Sequence, residues 1–155
     1  MLLRRNRLLL STLLIVLLCA SLILSGKADA TNWVQNYGGA NMDSAHSVIE
    51  TSDGGYALAG VYNYSWETTI GDFWLVKTDA GGNELWNKTY GGTGSDIGIH
   101  IIQTEDEGYA LLGHTASFGA GSNDAWLIKT DANGNEEWNM TYGGTGVEFG
   151  QCLEP

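Results

Sequence analysis

The chain has 155 residues, of which 18 are acidic and seven are basic, and its net charge is −11. A surface this anionic repels phosphate groups and anionic lipids, so nucleic acid and acidic membrane surfaces are poor candidates as partners. One proline, 22 glycines and six tryptophans indicate a turn-rich chain that still has enough apolar bulk for a core.

Residues 1–30 differ in kind from the rest. A basic head with three arginines (residues 4–7) precedes an apolar run over residues 8–24, and small residues follow at Ala28-Asp29-Ala30. This layout is typical of a signal peptide and predicts a signal helix that is cleaved between Ala30 and Thr31. The alternative is an uncleaved anchor, because the apolar run is at the short limit for spanning a bilayer.

Cleavage would leave 17 acidic and three basic side chains on residues 31–155. It would also leave a single cysteine, Cys152, so no disulfide framework forms within this part of the chain. The sequence therefore predicts a secreted or cell-surface protein that is strongly acidic.

Residues 31–155 are built from repeats. Trp33, Trp86 and Trp138 lie 53 and 52 residues apart, and the sequence around them recurs. The matching strings are Trp33-Val-Gln-Asn-Tyr-Gly-Gly39, Trp86-Asn-Lys-Thr-Tyr-Gly-Gly92 and Trp138-Asn-Met-Thr-Tyr-Gly-Gly144; Asp53-Gly-Gly-Tyr-Ala-Leu-Ala-Gly60 and Asp106-Glu-Gly-Tyr-Ala-Leu-Leu-Gly113; and Asp72-Phe-Trp-Leu-Val-Lys-Thr-Asp79 and Asp124-Ala-Trp-Leu-Ile-Lys-Thr-Asp131. We divide the domain into repeats 33–85, 86–137 and a shortened 138–155, about two and a third in all.

Each repeat predicts four short strands. In the first repeat they cover about 45–51, 56–62, 73–78 and 84–90, and the period of two places Trp86, Lys88 and Tyr90 on one face. Asp53-Gly54 is a strong hairpin signal, and Asp79-Ala-Gly-Gly82 has the preferences of a type I turn. No sustained helical period follows residue 30, so we expect almost no helix there.

A family resemblance follows from these motifs. The series Asp53-Gly-Gly-Tyr, Asp72-x-Trp-Leu-x-Lys-x-Asp79, Gly82-Asn83-x-x-Trp86 and Tyr90-Gly-Gly92 resembles a repeat of secreted archaeal and bacterial β-propeller proteins. Its Lys-x-Asp-x-x-Gly-x-x-x-Trp part is similar to the tryptophan-docking motif of quinoprotein-type propellers. The resemblance covers residues 33–155 and implies an all-β fold of tandem four-stranded antiparallel blades, a partial β-propeller.

The number of repeats raises a question of assembly. A propeller has at least four blades, whereas this sequence supplies two and the beginning of a third. We expect either a truncated copy of a longer protein or completion by assembly. A blade interrupted within a strand has an unpaired edge, so the sequence also predicts self-association through open blade edges.

The aromatic residues that recur in phase with the repeat are assigned packing roles between or within blades; they are Trp33, Trp86, Trp138, Trp74, Trp126, Tyr37, Tyr90 and Tyr142. A stacking platform for sugars is the alternative for the first three. Trp66 and Phe118 occupy matching positions in the loop where the two copies differ most. Because loops carry binding residues more often than strands do, these two are weak candidates for ligand contact, against loop packing.

No catalytic or metal site is predicted. The turns at Asp79 and Asp131 leave calcium as a minor possibility, although neither has the distant glutamate of a calcium loop. The histidines and cysteines lack zinc spacing, and a quinone cofactor would need a full ring of blades, so no cofactor is expected. Asn63, Asn87 and Asn139 begin Asn-x-Ser/Thr sequons and are possible glycosylation sites.

The sequence therefore predicts an exported surface or extracellular repeat protein that acts as a non-catalytic binding module. Its expected partners are an extracellular protein or a glycan, with membrane contact only through an uncleaved N-terminal segment. One alternative is a fragment of a secreted enzyme, or of an enzyme-associated propeller, that acts on polysaccharide. Another is a structural component of the cell envelope.

Overall fold

The computed structural model describes residues 32–154, and the predicted signal helix lies outside them. Within these residues the chain forms eight strands and no helix. The strands are β1 (Met42–Glu50), β2 (Tyr56–Ser65), β3 (Ile70–Thr78), β4 (Glu84–Tyr90), β5 (Asp96–Gln103), β6 (Tyr109–Thr115), β7 (Asp124–Thr130) and β8 (Glu136–Tyr142).

The strands make two four-stranded sheets with the same topology. The first sheet has the order β1-β2-β3-β4 and the second the order β5-β6-β7-β8, and every neighbouring pair is antiparallel. Each strand therefore pairs with the next one along the chain, as short hairpin connections require. The prediction of an all-β chain with four antiparallel strands in each repeat is confirmed.

Strand boundaries differ from the prediction mainly around the β2–β3 connection. β2 extends to Ser65 and β3 begins at Ile70, so both strands of this hairpin are longer, and the loop between them is shorter, than predicted. A register shift between Tyr62 and Ser65 allows this extension. Asn63 lies at the shift with a φ of +58°, in the left-handed region that asparagine tolerates better than most residues do.

The turns that join β3 to β4 and β7 to β8 are nearly identical. The Gly82 amide donates to the carbonyl of Asp79 at 3.1 Å, and the Gly134 amide donates to the carbonyl of Asp131 at 3.1 Å. Both glycines have positive φ, 76° and 71°. The Asp79 carboxylate also accepts the amides of residues 81 and 83 at 2.8 Å. These aspartates are accounted for as turn-capping residues.

The core lies between the two sheets, where β5 packs across β1, β2 and β3. It contains Ala57, Ala59, Phe73, Leu75 and Tyr90 from the first sheet and Ile101, Tyr109, Leu111, Trp126 and Ile128 from the second. Without the other sheet, the apolar face of each sheet would be exposed to water. Burial of these two faces against each other is therefore what holds the sheets together. Gly98 of β5 makes the close approach possible, because a Cβ there would lie 2.2 Å from the ring of Phe73.

A lysine with a largely buried side chain joins two segments at one end of each sheet. The Nζ of Lys77 lies 2.9 Å from Asp53 and donates to the carbonyl of Thr78 at 2.7 Å. Lys129 repeats this arrangement with Asp106 at 2.8 Å and adds Glu137 at 2.9 Å. Each lysine thus joins the β1–β2 or β5–β6 turn to the end of the third strand of its sheet.

The segment after β8 lies along the second sheet. Val147 forms a parallel bridge with Asn123, and the Gly150 amide donates to the carbonyl of Gly113 at 3.2 Å. Phe149 packs its ring against His114 at 4.8 Å. We refer to residues 145–154 as the tail.

Among residues 32–154, the structure contains no helix of the length and apolar character that a membrane span requires.

Candidate functional site

An open groove runs between the two sheets at the end where β2 turns into β3. It has a volume of about 410 Å³ and is bordered by the β2–β3 loop, the β4–β5 connection and the ends of β6 and β7. Its lining residues are Tyr64, Thr68, Thr69, Ile70, Gly94, Ser95, Ile97, His114, Ala116 and Asn123. We call it the inter-sheet groove.

The groove lining is electrically neutral apart from one titratable imidazole. None of the ten lining residues of the described chain is a lysine, an arginine or a carboxylic acid. Hydroxyl groups come from Thr68, Thr69 and Ser95, and an amide comes from Asn123. Such groups both donate and accept hydrogen bonds. This composition suits an uncharged, hydroxyl-rich ligand and contrasts with the acidic character of the chain as a whole.

An exposed tryptophan stands beside the groove. The indole of Trp66 is 74% exposed and meets the ring of Tyr64 edge-on, with centroids 5.3 Å apart. Tyr64 itself lines the groove, so the pair forms an aromatic wall at its rim. A large indole left in water at a concave site is a typical feature of a binding surface.

The loop that carries this wall has an unusual backbone. Thr69 has a φ of +55° and Asn63 a φ of +58°, and the two residues bracket Tyr64 and Trp66. Left-handed backbone is especially unfavourable for a β-branched residue such as threonine. The Thr69 amide donates to the carbonyl of Ser65 at 2.7 Å, which closes the loop. Strained residues of this kind cluster at binding and active sites.

His114 is the one histidine among the residues that line the groove. Its Nδ1 is buried and has no hydrogen-bond partner within residues 32–154. Burial lowers the pKa of His114, and the charge of His46 lowers it further. The imidazole is therefore neutral at neutral pH, which keeps the groove uncharged.

A second, smaller cleft of about 190 Å³ lies at the opposite end of the sheets; it is lined by Ser52, Asp53, Lys77, Gln103, Glu107, Tyr109 and Ala132. The hydroxyl of Thr51 and the ammonium group of Lys77 donate hydrogen bonds to Asp53 and lower its pKa to about 2. In the second sheet, hydrogen bonds from Lys129 and Thr104 likewise lower the pKa of Asp106 to about 2. Because the same ion pair recurs in both sheets, we interpret this cleft as structural.

The two weak ligand-contact candidates have different surroundings. Trp66 lies beside the groove through its contact with Tyr64. Phe118 packs on Trp126, with centroids 5.4 Å apart and planes tilted by 47°. Neither Trp66 nor Phe118 is itself a lining residue of the groove, but the aromatic partner of Trp66 is one and the aromatic partner of Phe118 is not. Matching sequence positions therefore serve different contacts, because the two loops differ in length and composition.

The aromatic residues assigned to packing also divide into two groups. Trp74, Trp126 and Tyr90 are buried, and Trp86 packs against the core. Trp33, Trp138 and Tyr142 are 38%, 46% and 51% exposed. Trp126 and Tyr90 lie where one sheet covers the other, whereas Trp74 lies on the opposite face of the first sheet against Tyr62. Trp138 and Tyr142 lie on a face of β8 that no other described residue covers.

The sequon asparagines are all exposed. Asn63 donates its amide to Asp43 at 2.8 Å. Asn87 and Asn139 donate their side-chain amides to Glu84 and Glu136, both at 2.6 Å. Exposure is what a glycan acceptor requires, and glycosylation at these positions stays a prediction.

No group of three potential metal ligands from histidine, cysteine, aspartate and glutamate occurs within the described part of the chain. The side chain of Asp131, one of the two aspartates for which calcium was left open, accepts the amide of Asn133 at 2.8 Å and the side-chain amide of Asn135 at 2.9 Å. These hydrogen bonds explain the aspartate without a cation.

The chain matches no protein-family model and no curated protein.

The groove itself was not anticipated from the sequence. Its hydroxyl and amide groups come from three separate segments, and no motif links Thr68 to Asn123. One signal pointed towards it: the two repeats differ most between Gly60 and Asp72, the segment that supplies the aromatic wall. Variation confined to one loop of a repeat is typical of a binding loop.

Proposed function

We propose that this protein is an exported, non-catalytic binding module of the β-propeller type, and that its inter-sheet groove binds neutral carbohydrate. The observation that carries the proposal is the exposed Trp66–Tyr64 wall beside a groove of hydroxyl and amide groups. The apolar faces of sugar rings stack on indoles, and sugar hydroxyls pair with groups that both donate and accept.

Charge supports the same class of ligand. Residues 31–155 carry 17 acidic and three basic side chains, so an anionic ligand would be repelled before contact. A neutral lining removes any specific attraction for cations within the groove. An uncharged oligosaccharide is not repelled by the acidic surface and needs no charged partner in the groove.

The test is a binding measurement with short neutral oligosaccharides as probes. The Trp66→Ala variant is expected to bind the best probe at least about tenfold more weakly, which is the usual cost of truncating a central aromatic contact. Phe118→Ala is the matched control, because Phe118 holds the equivalent loop position but packs on Trp126 outside the groove. Its affinity is expected to equal that of the wild type even if its stability falls.

Equal losses in both variants would contradict this assignment of the groove. So would the absence of binding to every neutral probe. Turnover of a probe into shorter sugars would favour the alternative of an enzyme that acts on polysaccharide.

Export has a separate test. The basic head, the apolar run and the Ala28-Asp29-Ala30 site predict that protein recovered outside the cytoplasm begins at Thr31. N-terminal sequencing of that protein checks the position. Intact Met1 in a membrane fraction would show that the segment is an anchor.

A further inference from the structure

One contact between neighbouring segments occurs twice in this chain. The hydroxyl of Tyr90 donates to the carbonyl of Gly134 at 2.7 Å. One repeat earlier, the hydroxyl of Tyr37 donates to the carbonyl of Gly82 at 2.6 Å. In each case a Trp-x-x-x-Tyr segment reaches the β-turn of the sheet that follows it.

The tryptophan of each segment completes the same contact. Trp86 meets Tyr109 with centroids 6.1 Å apart, and Trp33 meets Tyr56 at 5.7 Å. Both indoles lie on the turn glycine. A Cβ at Gly82 would be 2.5 Å from the ring of Trp33, and one at Gly134 would be 2.7 Å from that of Trp86. In each sheet a tyrosine and a turn glycine thus form a binding site for the tryptophan of the preceding segment. We call this site the cradle; it consists of Tyr56 and Gly82 in the first sheet and of Tyr109 and Gly134 in the second.

The third Trp-x-x-x-Tyr segment meets no cradle among residues 32–154. Trp138, Met140 and Tyr142 lie on one face of β8 and are 46%, 54% and 51% exposed. We call these three residues the docking face. β8 is already ordered by its pairing with β7, so this face is presented on a formed strand.

The cradle of the first sheet is occupied by residues 33–37 of the same chain. Residues 33–37 belong to no strand, and Val34 is 89% exposed. A strand that presents the same side chains on a preformed sheet pays less conformational entropy on docking than this segment does. A second copy displaces this tethered segment at the expense of its own translational and rotational freedom, so the exchange depends on protein concentration.

We propose that the docking face of one copy binds the Tyr56–Gly82 cradle of a second copy, in place of that copy's own residues 33–37. The interface continues the packing that already joins the two sheets within one chain. The contact is head-to-tail: in a pair of copies, one retains its docking face and the other retains its cradle, so the assembly can extend beyond two copies.

The tail takes part in this exchange. Residues 145–153 occupy the same repeat positions after Tyr142 that residues 40–48 occupy after Tyr37. Continued packing thus brings β1 of the second copy to the place of the tail, which moves aside. The exchange breaks the contacts that hold the tail, among them the hydrogen bonds from the amide of Glu148 to the carbonyl of Asn123 at 2.8 Å and from the amide of Leu153 to His100 at 3.3 Å. The contacts made by β1 of the second copy replace them.

Sedimentation velocity on the chain from Thr31 onward, which contains the whole compact unit Trp33–Pro155, tests the proposal. The wild type is expected to form concentration-dependent oligomers. Met140→Glu is expected to weaken association at least about tenfold, because the equivalent Lys88 donates to Asn135 beside the Asp131 carboxylate, so a carboxylate at position 140 would face the equivalent acidic turn at Asp79. Leu85→Glu is the matched control: Leu85 is 56% exposed, and the second repeat already has a glutamate, Glu137, at the equivalent position.

A mixing experiment tests the head-to-tail geometry. Met140→Glu disables the face and Gly82→Ala disables the cradle, because the added Cβ meets the incoming indole. Each variant alone is expected to remain monomeric, whereas the mixture forms dimers of one copy of each and nothing larger. If Gly82→Ala fails to fold, Tyr56→Glu removes the other side of the cradle.

Removing the contacts of residues 33–37 with their own cradle is expected to strengthen association. The double variant Trp33→Ala, Tyr37→Phe empties the cradle and is expected to associate more tightly than the wild type, and Met140→Glu should abolish that gain. A monomeric wild type at all concentrations would overturn the proposal. Failure of the mixture to dimerise would also overturn it, since that result indicates face-to-face pairing of two docking faces.

Discussion

Replacing Trp86 by alanine is expected to lower the free energy of unfolding by about 3 kcal/mol or more, the usual loss for a packed tryptophan. The same change at Trp138 is expected to cost less than about 1 kcal/mol, because a largely exposed side chain has little packing to lose. The two residues occupy equivalent repeat positions, so only their surroundings differ. Trp86 packs against the core and the ring of Tyr109, and Trp138 is 46% exposed.

Urea unfolding followed by circular dichroism measures both values. The protein concentration must be low enough to keep the chain monomeric, because self-association would add apparent stability. Equal losses at the two positions would show that burial does not separate them. The position of Trp86 between the sheets would then be in error.

A third complete repeat is expected to stabilise the protein by several kcal/mol. The design joins a second copy of residues 91–142 directly after Tyr142, which replaces the tail and preserves the repeat period. The added sheet brings its own equivalents of Tyr109 and Gly134 to the docking face. Stability in stacked repeats is roughly a sum over repeats and interfaces, so one new interface should contribute about as much as Trp86→Ala removes.

Denaturant unfolding of the original and extended chains gives the difference, and the slope m should rise with the surface buried. The control is Trp138→Ala in the extended chain, where it should now cost about as much as Trp86→Ala, about 3 kcal/mol. Two separate unfolding transitions would contradict the design, because they would show that the added repeat does not pack on the second sheet.

The local structure could be predicted because it depends on near neighbours. Alternation and turn residues located all four strands of each repeat, and the Asp79–Gly82 turn formed where its sequence indicated. The face shared by Trp86, Lys88 and Tyr90 followed from the period of two. The resemblance to propeller proteins extends beyond these elements, and the arrangement of further blades stays a proposal.

The candidate site could not be predicted because it depends on distant segments meeting. The inter-sheet groove requires that the β2–β3 loop of the first sheet lie opposite residues 94–97. The local sequence of neither segment indicates that the two are close in space. The loop also contains Asn63 and Thr69 in left-handed conformations, which sequence rules reserve mainly for glycine. The exposure of Trp138 could not be predicted either, because the residues around it in the sequence match those around the packed Trp86.

The paired lysines have a consequence for resistance to proteases. Residues 31–155 contain three lysines and no arginine, so a protease of tryptic specificity has three places to cut. All three lie within strands, and the side chains of Lys77 and Lys129 are 6% and 12% exposed. A protease must draw a strand out of its sheet before it can cleave there. The lysines that fasten each turn to its sheet therefore also shield the chain from digestion, for as long as the sheets stay paired.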